Sequence, residues 1–98
     1  MKLAVVLLST AITLAFTAQA ADLTEVRRAL MQGDCDTAVN SLNSAISAGD
    51  VDAMNQLAGM HLVGNCVKQD QAAATALYEK SAAAGSERAK KMLERAKG

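Results

Sequence analysis

The 98-residue chain contains no proline and no tryptophan, and its aromatic residues are one phenylalanine and one tyrosine. Without proline, nothing in the chain forces a break inside a helix. With so few rings, a core must be assembled from small aliphatic side chains. Sustained period-2 alternation of β-branched residues is missing beyond the N-terminal apolar run, which argues against strands. No charge surplus exists either: ten basic residues balance ten acidic ones. A nucleic-acid-binding surface favours a strong basic excess, so that partner class is not expected. The two cysteines, Cys35 and Cys66, do not form a Cys-x-x-Cys redox motif. No glycine-rich phosphate loop follows a strand. What the chain does have is abundant alanine, the residue with the highest helix propensity, and the expected fold class is all-α.

The first twenty residues read as a targeting segment. Lys2 supplies a short positive start. Leu3 to Phe16 is an apolar run interrupted only by Ser9, Thr10 and Thr13, and Ala18-Gln19-Ala20 is a small-x-small cleavage site. This is the layout of a secretory signal peptide. The run falls short of the roughly 20 residues that span a bilayer, so no stable membrane span is expected. Cleavage near Ala20 places the protein in the periplasm or outside the cell. Removal of residues 1–20 from 98 leaves 78, with Ala21 as the new N-terminus and a net charge of −1, since Lys2 is the only charge lost. So small a domain has a thin core, and small exported proteins often add covalent staples.

Glycines and capping residues divide the rest into five helical segments. The first spans about Leu23 to Gln32, with Asp22 as N-cap, Glu25 completing a box-like pair, and Leu23, Val26 and Leu30 as its apolar stripe. The second starts near Asp34 or Asp36 and runs to Ala48, with Ala38, Val39, Leu42, Ala45 and Ile46 inward. Asp50 caps the third, Val51 to about Val63, whose inward face carries Ala53, Met54, Leu57, Ala58 and His61. Asp70 caps the fourth, which runs to Ala84 and buries Ala74, Leu77, Tyr78 and Ala82. Ser86 caps the last, with Ala89, Met92, Leu93 and Ala96 inward. Gly33, Gly49, Gly64 and Gly85 serve as stops. A shift of 36 residues maps Ala38, Leu42 and Gly49 onto Ala74, Tyr78 and Gly85, and Ala53 and Leu57 onto Ala89 and Leu93. The turn Gly33-Asp34-Cys35 matches Gly64-Asn65-Cys66 at an offset of 31 instead, so the first such loop is the shorter.

Residues Ala53, Leu57, Gly64, Val67, Asp70, Ala74, Tyr78, Lys80, Ala82 and Gly85 follow the pattern of a Sel1-like repeat, a relative of the tetratricopeptide repeat, and the chain resembles that family over about half of its mature length. Ala58, His61, Cys66 and Leu77 depart from the pattern, standing where a helix glycine, a tyrosine, a second loop glycine and a tryptophan are usual. The resemblance implies a short α-solenoid of antiparallel helix pairs: a degenerate repeat over 21–49, a Sel1-like repeat over 50–85 and a capping helix over 86–98. Such units stack because none buries its apolar face alone. The resemblance implies a protein–protein interaction module or adaptor of the bacterial envelope, whose concave surface, lined by the first and third helices, contacts an unidentified protein or peptide. Gln56, Met60 and His61 are the expected contacts. The open end of a short stack also leaves self-association open.

An even cysteine count in an exported protein points to a disulfide. Cys35 and Cys66 both lie at helix-to-helix turns on one edge of the expected stack, close enough for a bridge, with two free thiols or an intermolecular bond as the alternatives. His61 is the lone histidine, and no ligand set for a metal surrounds it in sequence. Asp50 and Asp52 read as an N-cap and a first-turn charge. Ser81 and Ser86 lack a histidine–carboxylate setting. No catalytic residue, metal or cofactor is therefore expected. Of the methionines in the mature chain, Met54 and Met92 fit core stripes, which leaves Met31 and Met60 for an adaptable exposed patch. Charge is uneven: Arg88, Lys90, Lys91, Arg95 and Lys97 crowd the last segment, whereas Asp34 to Asp52 holds four aspartates and no base. A stabilising or inhibitory subunit docking by that basic side is one alternative function. A cell-wall or β-lactam-directed hydrolase, an activity ascribed to some members of the family, is the other.

Overall fold

A computed structural model describes residues 23–97. The expected signal peptide, the cleavage site and the capping role of Asp22 lie outside the described residues. Those residues form five helices and no strand: α1 (Thr24–Met31), α2 (Cys35–Ser47), α3 (Val51–Val63), α4 (Gln71–Ala83) and α5 (Glu87–Lys97). The all-helical class follows from the alanine-rich, proline-free composition. The main packing contacts run between helices consecutive in the chain. Among the described residues no helix is long and apolar enough to cross a membrane.

The caps explain the boundaries. Asp34, Asp50 and Asp70 each accept a hydrogen bond through Oδ1 from the backbone N–H three residues on, at Thr37, Ala53 and Ala73, with distances of 3.1, 3.0 and 3.0 Å. The Ser86 hydroxyl does the same for Ala89 at 3.0 Å. Each bond satisfies an N–H that the first helical turn leaves without a partner. α1 differs from expectation: Leu23 occupies its N-cap position and makes no side-chain cap bond.

Three of these caps have a second task. The N–H groups of Asp34, Asp50 and Ser86 donate backward to the carbonyls of Ala29, Ala45 and Ser81, at 2.8, 3.0 and 3.1 Å. That bond closes the preceding helix in a Schellman-type turn, which needs a left-handed residue just before it. Gly49 and Gly85 supply that residue in two of the turns, at φ +88° and +103°. One residue thus ends one helix and starts the next, over a very short connection.

The α3–α4 connection is longer, residues 64–70 against 32–34 between α1 and α2. It is braced from within. Gln69 Nε2 donates to the Leu62 carbonyl at 2.8 Å, and the Asp70 N–H donates to the His61 carbonyl at 2.9 Å. The Lys68 carbonyl lies 3.2 Å from His61 Nδ1, so the tautomer with its proton on Nδ1 donates there. Val67 packs against the main core.

Two apolar clusters meet at Leu77. The larger takes Val26 and Ala29 from α1, Ala38, Leu42 and Ala45 from α2, and Ala53, Leu57 and Met60 from α3. The smaller joins Ala58, Ala74, Tyr78 and Ala89, with Leu62, Met92 and Leu93 partly buried around them. Ala38, Ala53, Ala58, Ala74 and Ala89 are fully buried. Five methyl-sized side chains at helix contacts let the backbones approach closely, where any larger residue would force strain. Ala96, expected inward, is exposed, whereas Ala89, Met92 and Leu93 of α5 pack in the smaller cluster.

Candidate functional site

Cys35 opens α2 and Cys66 sits in the α3–α4 connection. Their Sγ atoms are 2.03 Å apart and their Cα atoms 5.1 Å, and no free cysteine is present among the described residues. Of the arrangements left open by the sequence, the intramolecular bridge is the one found. Cys66 has φ +65°, the one non-glycine residue described with a positive φ. The left-handed region costs a side-chain-bearing residue roughly 1–2 kcal/mol, and here the bridge and the braced loop hold it in place.

A second link crosses the interior. Asn55 is 5 % exposed and Ser81 is fully buried. The Ser81 hydroxyl donates to Asn55 Oδ1 at 2.7 Å, and Asn55 Nδ2 donates to the Ser86 hydroxyl oxygen at 3.1 Å. That same oxygen caps α5. The chain of bonds ties α3, α4 and α5 together, and it gives both serines a structural occupation. An asparagine in the middle of a helix has no spacing rule that marks it as buried. The clue was in phase: Asn55 lies between the inward Met54 and the inward Leu57 and Ala58, on a helix that is apolar on nearly every side.

An open groove of about 560 Å³ is lined by Leu23, Asp52, Gln56 and Arg88. These residues come from the head of α1, from α3 and from α5, so every second helix contributes. The volume lies within the roughly 300–1,000 Å³ of typical ligand sites. Asp52 and Gln56 are one helical turn apart and share a face. Asp52 and Arg88 are themselves 36 residues apart, and each is the second residue of its helix.

The expected contacts divide three ways. Gln56 lines the groove and is half-buried. His61 is half-buried and faces the Lys68 carbonyl. Met60 is corrected: it is only 5 % exposed and packs in the larger core with Leu42 and Leu57, because the nearly all-round apolar α3 is buried on that side too. Met31 is exposed as expected, at 80 %, and Val63 joins it at 72 %. The sequence marks Asp52 as a first-turn charge and Arg88 as one of the bases of the last segment, and nothing in it places them in one groove. Among the described residues no group of three or more His, Cys, Asp or Glu side chains is arranged to hold a metal ion.

The Asp34 carboxyl is held below its ordinary pKa, chiefly by the Thr37 side chain and then by the Thr37 backbone N–H, both of which hydrogen-bond to it.

Set against protein-family models, curated proteins and solved structures, the chain matches none.

Proposed function

We propose that the chain is an exported, non-catalytic helical-repeat protein of the Sel1-like class, and that it binds a polypeptide partner in the groove shared by α1, α3 and α5. The observation that carries this reading is the groove itself. Alternate helices of a stack of antiparallel pairs share one face, and a surface assembled from them grows into an extended concave binding site. Several further features support it. α2 and α4 each have 13 residues and begin 36 residues apart, as do the caps Asp34 and Asp70, and Asp50 and Ser86. Cys66 occupies the place of the second loop glycine of the repeat pattern, and it has the left-handed backbone that a glycine there would adopt. The cysteine pair suits an oxidising compartment outside the cytoplasm.

The test is photo-crosslinking in the producing cell. A crosslinking amino acid replaces Gln56 in the groove or, as control, the exposed Glu79 on α4. The expected result is a discrete protein adduct from position 56 and none from 79. Equal or absent adducts at the two positions would sink the reading. A second reading, a subunit that docks through α5, draws on the exposed bases Arg88, Lys90, Lys91, Arg95 and Lys97. It requires adducts from Lys91 that vanish at high salt.

A further inference from the structure

We infer that the outer stripe of α5, along Arg88, Lys91 and Arg95, docks an acidic α-helix of a partner protein in the place that α4 takes on α3. This specifies the partner of the second reading above, the subunit that docks through α5. The repeat register carries it. Thirty-six positions separate the cap Asp50 from the cap Ser86, Ala53 from Ala89 and Leu57 from Leu93. Ala53 and Leu57 pack in the larger cluster with Ala38 and Leu42 of the preceding helix, α2. Ala89 and Leu93 pack in the smaller one with Ala74 and Tyr78 of their preceding helix, α4. α5 therefore meets α4 through the positions by which α3 meets α2.

α3 has a second contact stripe, toward α4. Asn55 Oδ1 accepts from the Ser81 hydroxyl at 2.7 Å, Ala58 packs with Ala74 and Tyr78, and a β-carbon on Gly59 would lie 3.7 Å from the Tyr78 hydroxyl oxygen. Spacings of three and four put these residues on one side of the helix. The same positions of α5 are Lys91, Glu94 and Arg95, and all three are exposed. Arg88, one turn before Lys91, is exposed as well. Among the described residues α4 is the helix packed on α5, so this stripe stays uncovered.

Its charge selects the occupant. The register gives a seat for a helix, and three bases against Glu94 call for carboxylates opposite them. Among the described residues the ion pair of α5 is Lys90 with Glu87, at 3.2 Å. Arg95 Nη1 approaches the Met92 sulfur at 4.0 Å, a contact that leaves its charge unneutralised. A second copy of the chain fits badly. α5 holds five bases and two acids, and α1 exposes Arg27 and Arg28 beside Glu25, so either end helix would meet α5 with like charge. A bilayer fits badly too. An interfacial helix inserts an apolar face, and Ala89, Met92 and Leu93 are already packed in the cluster shared with α4.

The test measures fluorescence anisotropy at low ionic strength with the disulfide-bonded protein and a labelled, stapled helical peptide. Its glutamates form one stripe at spacings of three and four. A second peptide of the same composition scatters them around the helix. The protein is compared with Lys91→Glu/Arg95→Glu and with Lys90→Glu/Lys97→Glu, which makes the same charge change on another side of α5. Arg88 is left alone because it lines the groove. The striped peptide should bind about tenfold more weakly to the first variant and within about twofold of the parent to the second. Circular dichroism checks folding, and Lys91→Gln/Arg95→Gln, which must weaken binding in the same direction, replaces the reversal if that unfolds. Equal weakening by both reversals, equal binding of the scattered peptide, or preference for vesicles of anionic phospholipid overturns the acidic-helix inference and leaves docking through α5 standing. A dimer that Lys91→Glu/Arg95→Glu dissociates would give the stripe to a second copy and overturn it as well. Binding of neither peptide nor vesicle overturns both.

Discussion

Replacing both cysteines isolates two opposed contributions of the Cys35–Cys66 bridge. The bonded residues are 31 positions apart. Closing a loop of that length removes denatured-state entropy equivalent to about 3–4 kcal/mol, which rivals the net stability of a domain this small. A Cys35→Ser/Cys66→Ser variant should therefore melt roughly 12–30 °C lower than the parent, at 4–8 °C per kcal/mol. Serine at position 66 still has to adopt φ +65°. Glycine does not face that steric cost, although it gives up more chain entropy on folding. Cys35→Ser/Cys66→Gly should accordingly recover about 1 kcal/mol relative to the double serine. Thermal and urea melts followed by circular dichroism measure both quantities. Two results would refute the reasoning: a double-serine variant melting within a few degrees of the parent, or a glycine variant less stable than the serine one. The first would show that the bridge contributes little, and the second that position 66 is not left-handed.

Three other substitutions probe the interior and the caps. Asn55→Ala leaves the fully buried Ser81 hydroxyl without its acceptor and should cost about 1–3 kcal/mol; adding Ser81→Ala should restore part of that loss in a urea melt. Ala74→Leu forces three extra carbons into a fully buried helix contact and should destabilise by about 1–3 kcal/mol, visible as a lower melting temperature with helix content retained. The Asp34 carboxyl has a lowered folded-state pKa, so its stabilising effect is present above its ordinary value and is lost as pH falls through the folded one. The gap in melting temperature between the parent and Asp34→Ala should then be widest near neutral pH and narrow in acid.

Much of this architecture was legible because the signals were local. Asp50, Asp70 and Ser86 are legible as caps and the second helix as starting near Asp34 or Asp36; Asp34, Asp50, Asp70 and Ser86 each make a capping bond. The sequence places the third helix from Val51 to about Val63, and α3 spans Val51–Val63. The misreadings have a common cause, which is that burial depends on neighbours a sequence does not display. Met60 was assigned to the surface because α3 has apolar residues on nearly every side, and periodicity cannot say which of them is covered. Helical phase points Ala96 inward, but it is exposed, while Ala89, Met92 and Leu93 of the same helix pack in the smaller cluster. The groove escaped for the same reason. Asp52 and Arg88 each look like ordinary solvent-facing charges in the sequence, which does not show that both line one open groove.

Force applied at the two ends of the chain would not reach all of it. The segment between Cys35 and Cys66 contains the whole of α2 and α3, and the covalent bond shunts tension around it. At about 3.4 Å per residue, the bridge withholds on the order of 100 Å of extension, so stretching would unravel α1, α4 and α5 while the enclosed helices carry no load. The tether also keeps the unloaded pair beside the breakpoint of the α3–α4 connection, ready to template the return of the outer helices once the pull is released.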